Sequence, residues 1–245
     1  MSKSVVVTGS SGAIGLAIGA AFANAGYRVI GLDKVAGTTG AYEDFLQVDL
    51  ERVVADDEYR RLAMNGLTSA VGDAGCHALV NNAAVQIVKP TGLATLEEWQ
   101  QTFAVNLLAP FVLTQSLLPA LTLAHGSVVN IASIHAIQSK PGFCAYATSK
   151  AALVAFTRGL ALDLSPAVRA NAVAPAAVDT PMLREGFTDS EALARLGAHH
   201  PANRIGTPGE IARAVMFLAS GDAEFITGTT MFVDGGISGR LHDPV

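Results

Sequence analysis

The run Ser4-Val-Val-Val-Thr8 enters Gly9-Ser-Ser11-Gly12-Ala-Ile14-Gly15, and a helical pattern follows from Leu16 to Ala25. This order constrains the fold more than any other stretch of the chain. Consecutive β-branched residues make a buried strand. A glycine-rich turn from such a strand into a helix is the opening of a βαβ unit that binds a dinucleotide. Gly9 permits the tight turn, and the helix N-terminus offers free backbone N–H groups to a pyrophosphate. Gly9, Ser11, Gly12, Ile14 and Gly15 are therefore candidate cofactor contacts.

The next strand, Tyr27 to Leu32, ends at Asp33. An acid at this distance past the turn reaches an adenosine ribose, accepts hydrogen bonds from both ribose hydroxyls and repels a 2′-phosphate. NAD is thus expected over NADP, although the adjoining Lys34 is a cation that tolerates phosphate. Gly37 to Gly40 reads as a loop, Phe45 to Val48 as a third strand, Val53 to Val71 as a helix stopped by Gly72 and Gly75, and Ala78 to Asn81 as a fourth strand. Thr95 and Glu98 form a capping box for the following helix. Gly126 to Ile131 and Val168 to Val173 are further strands. A long excursion from about residue 176 to 206 carries helical stretches broken at Gly186, Gly197 and Pro201, as a lid over a ligand does. Pro208 opens a last helix, to Ala219, and Thr230 to Val233 is the final strand. Strands alternating with helices imply an α/β fold with one Rossmann-like, doubly wound parallel sheet of about seven strands, in a single domain spanning residues 1–245.

Half of the 245 residues are hydrophobic and 15% are charged, which suits one large core. The net charge of −5 and the absence of a Lys/Arg-rich run argue against nucleic-acid binding. Cys76 and Cys144 fit neither a disulfide framework nor a metal site, so no metal and a reduced, cytoplasmic setting are expected. Met1 runs almost at once into a strand, without a signal-peptide pattern. No apolar stretch reaches membrane-spanning length free of charge or turn signals. The helices from Leu107 to Leu123 and from Ala145 to Leu162 are apolar around most of their girth, which predicts a homo-oligomer, dimer or tetramer.

The chemistry sits between Ser133 and Lys150. Tyr146 and Lys150, four residues apart, share one helix face. An ammonium near a phenol favours the phenolate, which predicts a tyrosine pKa lowered toward neutrality. Such a group takes a proton from an alcohol or returns it to a carbonyl oxygen. Ser133 follows a buried strand and offers a hydroxyl to the same oxygen. Asn106 interrupts the apolar segment Phe103 to Leu108 and, once buried, must find partners.

Taken together, Thr8-Gly9 to Gly15, Asp49, Asn81-Asn82-Ala83, Asn106, Ser133, Tyr146-x-x-x-Lys150, Pro175 to Thr180 and Val233-Asp-Gly-Gly236 resemble the short-chain dehydrogenase/reductase family, single-domain type, from Val5 to Gly236. The resemblance implies an NAD(H)-dependent oxidoreductase that interconverts a secondary alcohol and a ketone. Tyr146 is then the general acid/base, Lys150 its tuner and a ligand of the nicotinamide ribose, and Ser133 the group that orients the substrate oxygen. Asn106 positions a water in a proton relay. Asp49, with Leu50 beside it, meets the adenine. Asn82, Ala83 and Ala84 border the adenosine ribose region, and Pro175, Val178 and Thr180 the nicotinamide amide.

Three positions depart from that family's pattern. The middle glycine of the first motif is Gly12, with Ala13 where the single-domain branch has Gly. Ala84 follows Asn-Asn-Ala, and Ala176 follows Pro175. Each adds a methyl near the cofactor. A sugar-nucleotide epimerase, whose branch shares the Gly9, Gly12, Gly15 spacing, needs a longer chain. A dinucleotide sensor without turnover is the other alternative. The substrate pocket is expected among Phe143, Met182, Leu183, Phe187, His135, Gln138 and Arg184, with His199 and His200 in the lid and Gln86 and Lys89 at its border. That mixture leaves sugars, polyols, steroids and acyl β-ketones open.

Overall fold

The computed structural model describes residues 3–35, 42, 44–186 and 190–240. The expected loop Gly37 to Gly40 and the pocket candidate Phe187 lie outside them. The strands are β1 (Ser4–Thr8), β2 (Arg28–Asp33), β3 (Asp44–Gln47), β4 (Ala78–Asn81), β5 (Ser127–Ile131), β6 (Arg169–Pro175) and β7 (Thr230–Val233). They form one parallel sheet in the order β3-β2-β1-β4-β5-β6-β7. The helices are α1 (Ala13–Asn24), α2 (Leu50–Ala55), α3 (Asp57–Val71), α4 (Leu96–Phe103), α5 (Ala109–Leu123), α6 (Cys144–Leu164), α7 (Pro181–Arg184), α8 (Ser190–His199) and α9 (Pro208–Ala219).

Side chains alternate across each strand and so feed two cores. Val6, Ile30, Leu79 and Val128 face Leu67 of α3 and Leu113, Leu117 and Leu121 of α5. Val5, Val7, Val29, Val80 and Val129 face Ile18 and Phe22 of α1 and Ile211, Val215 and Leu218 of α9. Strands buried on both faces read as the continuous apolar runs seen in the sequence. The chain winds one way through β1, β2 and β3 and the other way from β4 onward. The crevice at the carboxyl ends of β1 and β4 is therefore the topological switch point, where a doubly wound sheet binds its ligand.

Two expected helices differ in detail. The stretch read as one helix from Val53 to Val71 is two. Asp49 accepts the amides of Glu51 and Arg52 to start α2, and Asp56 accepts that of Tyr59 to start α3. A carboxylate that caps from inside a helical pattern competes with the helix and breaks it. Gly197 does not break the lid helix, because α8 runs through it. Its bare Cα instead admits Arg204, whose Cα would lie 3.3 Å from a Cβ at this position.

Helices α4 and α5 are joined by a π-helical turn over Ala104–Leu108 into one run, Leu96–Leu123. By length and composition alone this run is able to cross a membrane, although Pro110 and Pro119 interrupt it as the sequence reading noted for such stretches. Half of its most apolar window is buried inside the fold, as in the core helix of a layered domain.

Candidate active site

The turn after β1 is built around missing side chains. Gly9 has φ of 62°, and a Cβ there would lie 2.8 Å from Ala83 Cα. A Cβ on Gly15 would lie 2.2 Å from the Gly9 carbonyl oxygen. Glycine is the residue that tolerates both the left-handed backbone and the close approach. Thr8 Oγ1 accepts the amides of Asn82 and Ala83, each at 3.0 Å. Asn82 Nδ2 donates to the carbonyls of Thr8 and Gly9 at 2.9 and 3.1 Å. The ends of β1 and β4 are thereby tied into one rim. The side chain of Asn82 serves that rim, which leaves its backbone and Ala83 to border the crevice.

The rim suits an anion. Helix α1 starts at Gly12 with no capping side chain and no acid in its first turn, so its N–H groups are open. Ser11 Oγ is buried and finds no partner among the described residues, and Ser10 Oγ beside it has only the Tyr42 hydroxyl within reach. Buried hydroxyls are normally satisfied, and an orphaned one beside a free helix N-terminus fits a pyrophosphate. Asp33 Oδ2 accepts the Ser11 amide at 2.9 Å, which places the carboxylate beside the turn. Asp49 Oδ1 caps α2, and Leu50 is buried behind it. These residues fit a nicotinamide dinucleotide. The sequence reading missed Tyr42, whose hydroxyl lies 2.6 Å from the Ser10 carbonyl oxygen and 3.0 Å from that of Gly15. A lone Tyr in a loop carries no periodic signal that would have exposed it.

The second half of the site stands at the ends of β5 and β6. Ser133 is buried just past β5, and its Oγ accepts the His135 amide at 3.2 Å. The hydroxyl proton is thus left for another acceptor. Tyr146, in the first turn of α6, lies near enough to Ser133 for the hydroxyl to act on its phenol. One turn on, the buried Lys150 donates from Nζ to the Ile131 carbonyl at 2.7 Å, and Nζ lies 5.7 Å from the Tyr146 ring centroid. The expected pairing is present, but the expected charge is not. Burial pushes the Tyr146 phenol up, and the Ser133 hydroxyl offsets only part of that. Burial also brings Lys150 down to about 7. An ammonium that is itself half-neutral lends little charge to its neighbour.

Asn106 is wholly buried in the π-helical turn. Its Oδ1 accepts the Val85 amide at 2.8 Å. Its Nδ2 donates to the Val85 carbonyl at 2.9 Å and to Ser149 Oγ at 3.0 Å. The side chain anchors the segment after β4, with both amide protons and one lone pair of Oδ1 engaged.

Beyond β6, Val178 is buried in the core and pairs by backbone with Gly206. Thr180 caps α7 by accepting the Leu183 amide. Pro175 closes β6 against Val233. The candidates Ala84 and Ala176 lie half-buried at the ends of β4 and β6. Among the weaker candidates, Lys89 pairs with Glu98, and Arg184 with Asp179. His200 is buried with Nδ1 on the Leu196 carbonyl. None of these three points to the Ser133–Tyr146 pair. Among the described residues, no three His, Cys, Asp or Glu side chains gather as a metal site would need.

A doubly wound sheet with a dinucleotide rim and a Ser, Tyr and Lys set at its carboxyl edge defines a nicotinamide-dependent oxidoreductase acting on CH–OH groups. The family described as enoyl-(acyl carrier protein) reductase matches residues 9–238. The protein FixR of Bradyrhizobium diazoefficiens is 38% identical over 96% of this chain and 86% of its own. The 3beta-hydroxysteroid dehydrogenase 1 of Eggerthella lenta is 34% identical over 96% and 94%. The ligand-free aldohexose dehydrogenase of Thermoplasma acidophilum superposes with a TM-score of 0.92 at 34% identity, covering 100% of this chain and 97% of its own. The chain belongs to the short-chain dehydrogenase/reductase family. Solved relatives hold either NADH or NADP.

Proposed function

We propose that this enzyme oxidises a secondary alcohol, or reduces the matching ketone, with NAD(H), and that Tyr146 is its general acid/base. The observation that carries the proposal is the gathering of Tyr146, the buried Ser133 hydroxyl and the buried Lys150 at one place. Ser133 Oγ already accepts the His135 amide, so its proton is directed to the reacting oxygen. In the oxidative direction the alcohol proton moves to Tyr146 Oη, and in the reductive direction it returns from that atom. Lys150, held by the Ile131 carbonyl, keeps its amino group beside the phenol ring. When bound, the dinucleotide supplies the carbon that exchanges hydride with the substrate and, in its oxidised form, a positive charge beside the phenol. Gly9, Gly12 and Gly15 with the open end of α1 would hold its pyrophosphate, and Asp33 its adenosine ribose. A carboxylate already fixed on the Ser11 amide disfavours a 2′-phosphate, which supports NAD over NADP.

The outer faces of α5 and α6 support a homo-oligomer. Leu108, Phe111 and Leu162 are exposed there, and Phe111 meets Phe156 edge-on across the two helices. Apolar side chains exposed on adjacent helices suit a subunit contact.

The test is a panel of secondary alcohols and ketones with NAD(H) and NADP(H), run on wild type and on Tyr146→Phe. Turnover by wild type that falls at least about a thousandfold in the variant, with NADH binding kept, is the expected result. Tight NADH binding without turnover of any substrate would instead favour a dinucleotide sensor.

A further inference from the structure

The glycine-rich turn after β1 is gripped by a residue with no part in the chemistry above. Tyr42 lies between β2 and β3, and its ring enters a slot between α1 and β2. Glycines make that slot. A Cβ on Gly19 would lie 2.7 Å from Tyr42 Cε1, and one on Gly31 would lie 3.0 Å from Cδ1. At the tip of the ring, Tyr42 Oη donates to the Ser10 carbonyl oxygen at 2.6 Å, with the Gly15 carbonyl oxygen 3.0 Å away. A bare ring would fill the slot as well. The hydroxyl reaches further, into the backbone of the turn.

The Ser10 carbonyl and the Ser11 amide belong to one peptide unit, and in a planar trans peptide they point in opposite directions. Tyr42 Oη holds one end of this unit, and Asp33 Oδ2 holds the other at 2.9 Å. The second Asp33 oxygen, Oδ1, accepts the Val35 amide at 3.2 Å, a bond within its own turn. The Ser11 amide is therefore what ties the Asp33 carboxylate to the glycine-rich turn. Burial, with the Asp33 charge nearby, pushes the Tyr42 phenol up despite the Ser10 hydroxyl beside it. The phenol thus stays protonated and remains a donor to the carbonyl. A peptide unit held at one end alone is free to turn about the dihedrals that flank it.

We propose that Tyr42 is a positioning residue for the choice of cofactor: by clamping the Ser10–Ser11 peptide it holds the Asp33 carboxylate where a ribose with free hydroxyls is accepted and one with a 2′-phosphate is refused. Removing the Tyr42 hydroxyl releases the carbonyl end of the peptide. The Ser11 amide then fixes the carboxylate less firmly, and the carboxylate discriminates less. Tyr42 acts through Asp33 rather than through a contact with the dinucleotide. The inference rests on the NAD(H) reading above and adds the residue that keeps its deciding carboxylate in place.

The experiment titrates NADH and NADPH, read by fluorescence, against wild type, Tyr42→Phe, Gly19→Ala, Asp33→Ala and the double variant of Asp33→Ala with Tyr42→Phe. The quantity taken is the ratio of the two Kd values on one preparation, so any loss of folded protein cancels. Wild type is expected to favour NADH by about tenfold or more. Tyr42→Phe keeps the ring in its slot and should cut that preference about fivefold, the effect of losing one hydrogen bond. Gly19→Ala favours the helix but displaces the tip of the ring, and should cut the preference to a similar extent. In the Asp33→Ala background, Tyr42→Phe should leave the ratio within about twofold. An unchanged ratio in Tyr42→Phe or Gly19→Ala overturns the proposal, as does a further fall once Asp33 is already absent. Equal binding of NADH and NADPH by wild type overturns the role of Asp33 on which the proposal stands. Wild type that binds neither overturns the oxidoreductase reading itself.

Discussion

Replacing Asn106 by Ala separates an anchor from a proton relay. The substitution removes three hydrogen bonds from a site with no exposure, two to Val85 and one to Ser149. Each such bond contributes about 1 kcal/mol net, so the gross loss is about 3 kcal/mol. Val85 is half-buried and water can serve part of its backbone. Ser149 keeps its bond to the Tyr146 carbonyl. A net loss of about 2 kcal/mol remains, roughly thirtyfold in the folding equilibrium and about 4–8 °C in Tm for a chain of this size. Trp99 is the only tryptophan and stacks on Phe103 at the entry to the π-helical turn, which makes its fluorescence a local reporter of unfolding. Val85 also follows directly on the rim that holds Gly9, so the same variant should bind NADH more weakly. The decisive pattern is joint loss of Tm and dinucleotide affinity. A variant with wild-type Tm and NADH affinity but abolished turnover would refute the anchor and restore a relay role for this side chain.

Three further outcomes follow from the same geometry. Gly15→Ala should abolish measurable NADH binding by fluorescence titration, because its Cβ would sit 2.2 Å from the Gly9 carbonyl and the backbone turn cannot yield locally. Asp33→Ala frees the Ser11 amide and removes the charge that opposes a 2′-phosphate, so the ratio of kcat/KM for NAD to that for NADP should fall about tenfold or more. For Lys150, the folded protein holds the ammonium at about 7 against an ordinary 10.5. Between those values the unfolded chain binds a proton that the folded chain lacks, so Lys150 makes stability rise with pH across this window, and the gain is lost as pH falls through about 7. Tm measured against pH without cofactor should therefore rise less steeply from pH 7 to 10 in Lys150→Met than in wild type, and parallel curves would contradict the burial argument.

What the chain revealed in advance was whatever depends on neighbours in sequence. The valines of β1, the capping box at Thr95 and Glu98, and the one-turn spacing of Tyr146 and Lys150 are local patterns, and each reappears in the fold. The reading failed where the deciding partner is remote or where two local signals compete. Asp56 looks like one polar residue in a helix until it captures the Tyr59 amide and starts a new one. Asn106 announced itself as a polar residue in an apolar run, but its partner Val85 lies 21 positions away and nothing in the spacing names it. The tyrosine is the most instructive case. Sequence spacing fixes how near two side chains come, whereas pKa depends on how much solvent the whole fold removes from both. Burial here raises the phenol and lowers the ammonium together, so the protein alone opposes the ionisation that spacing had suggested.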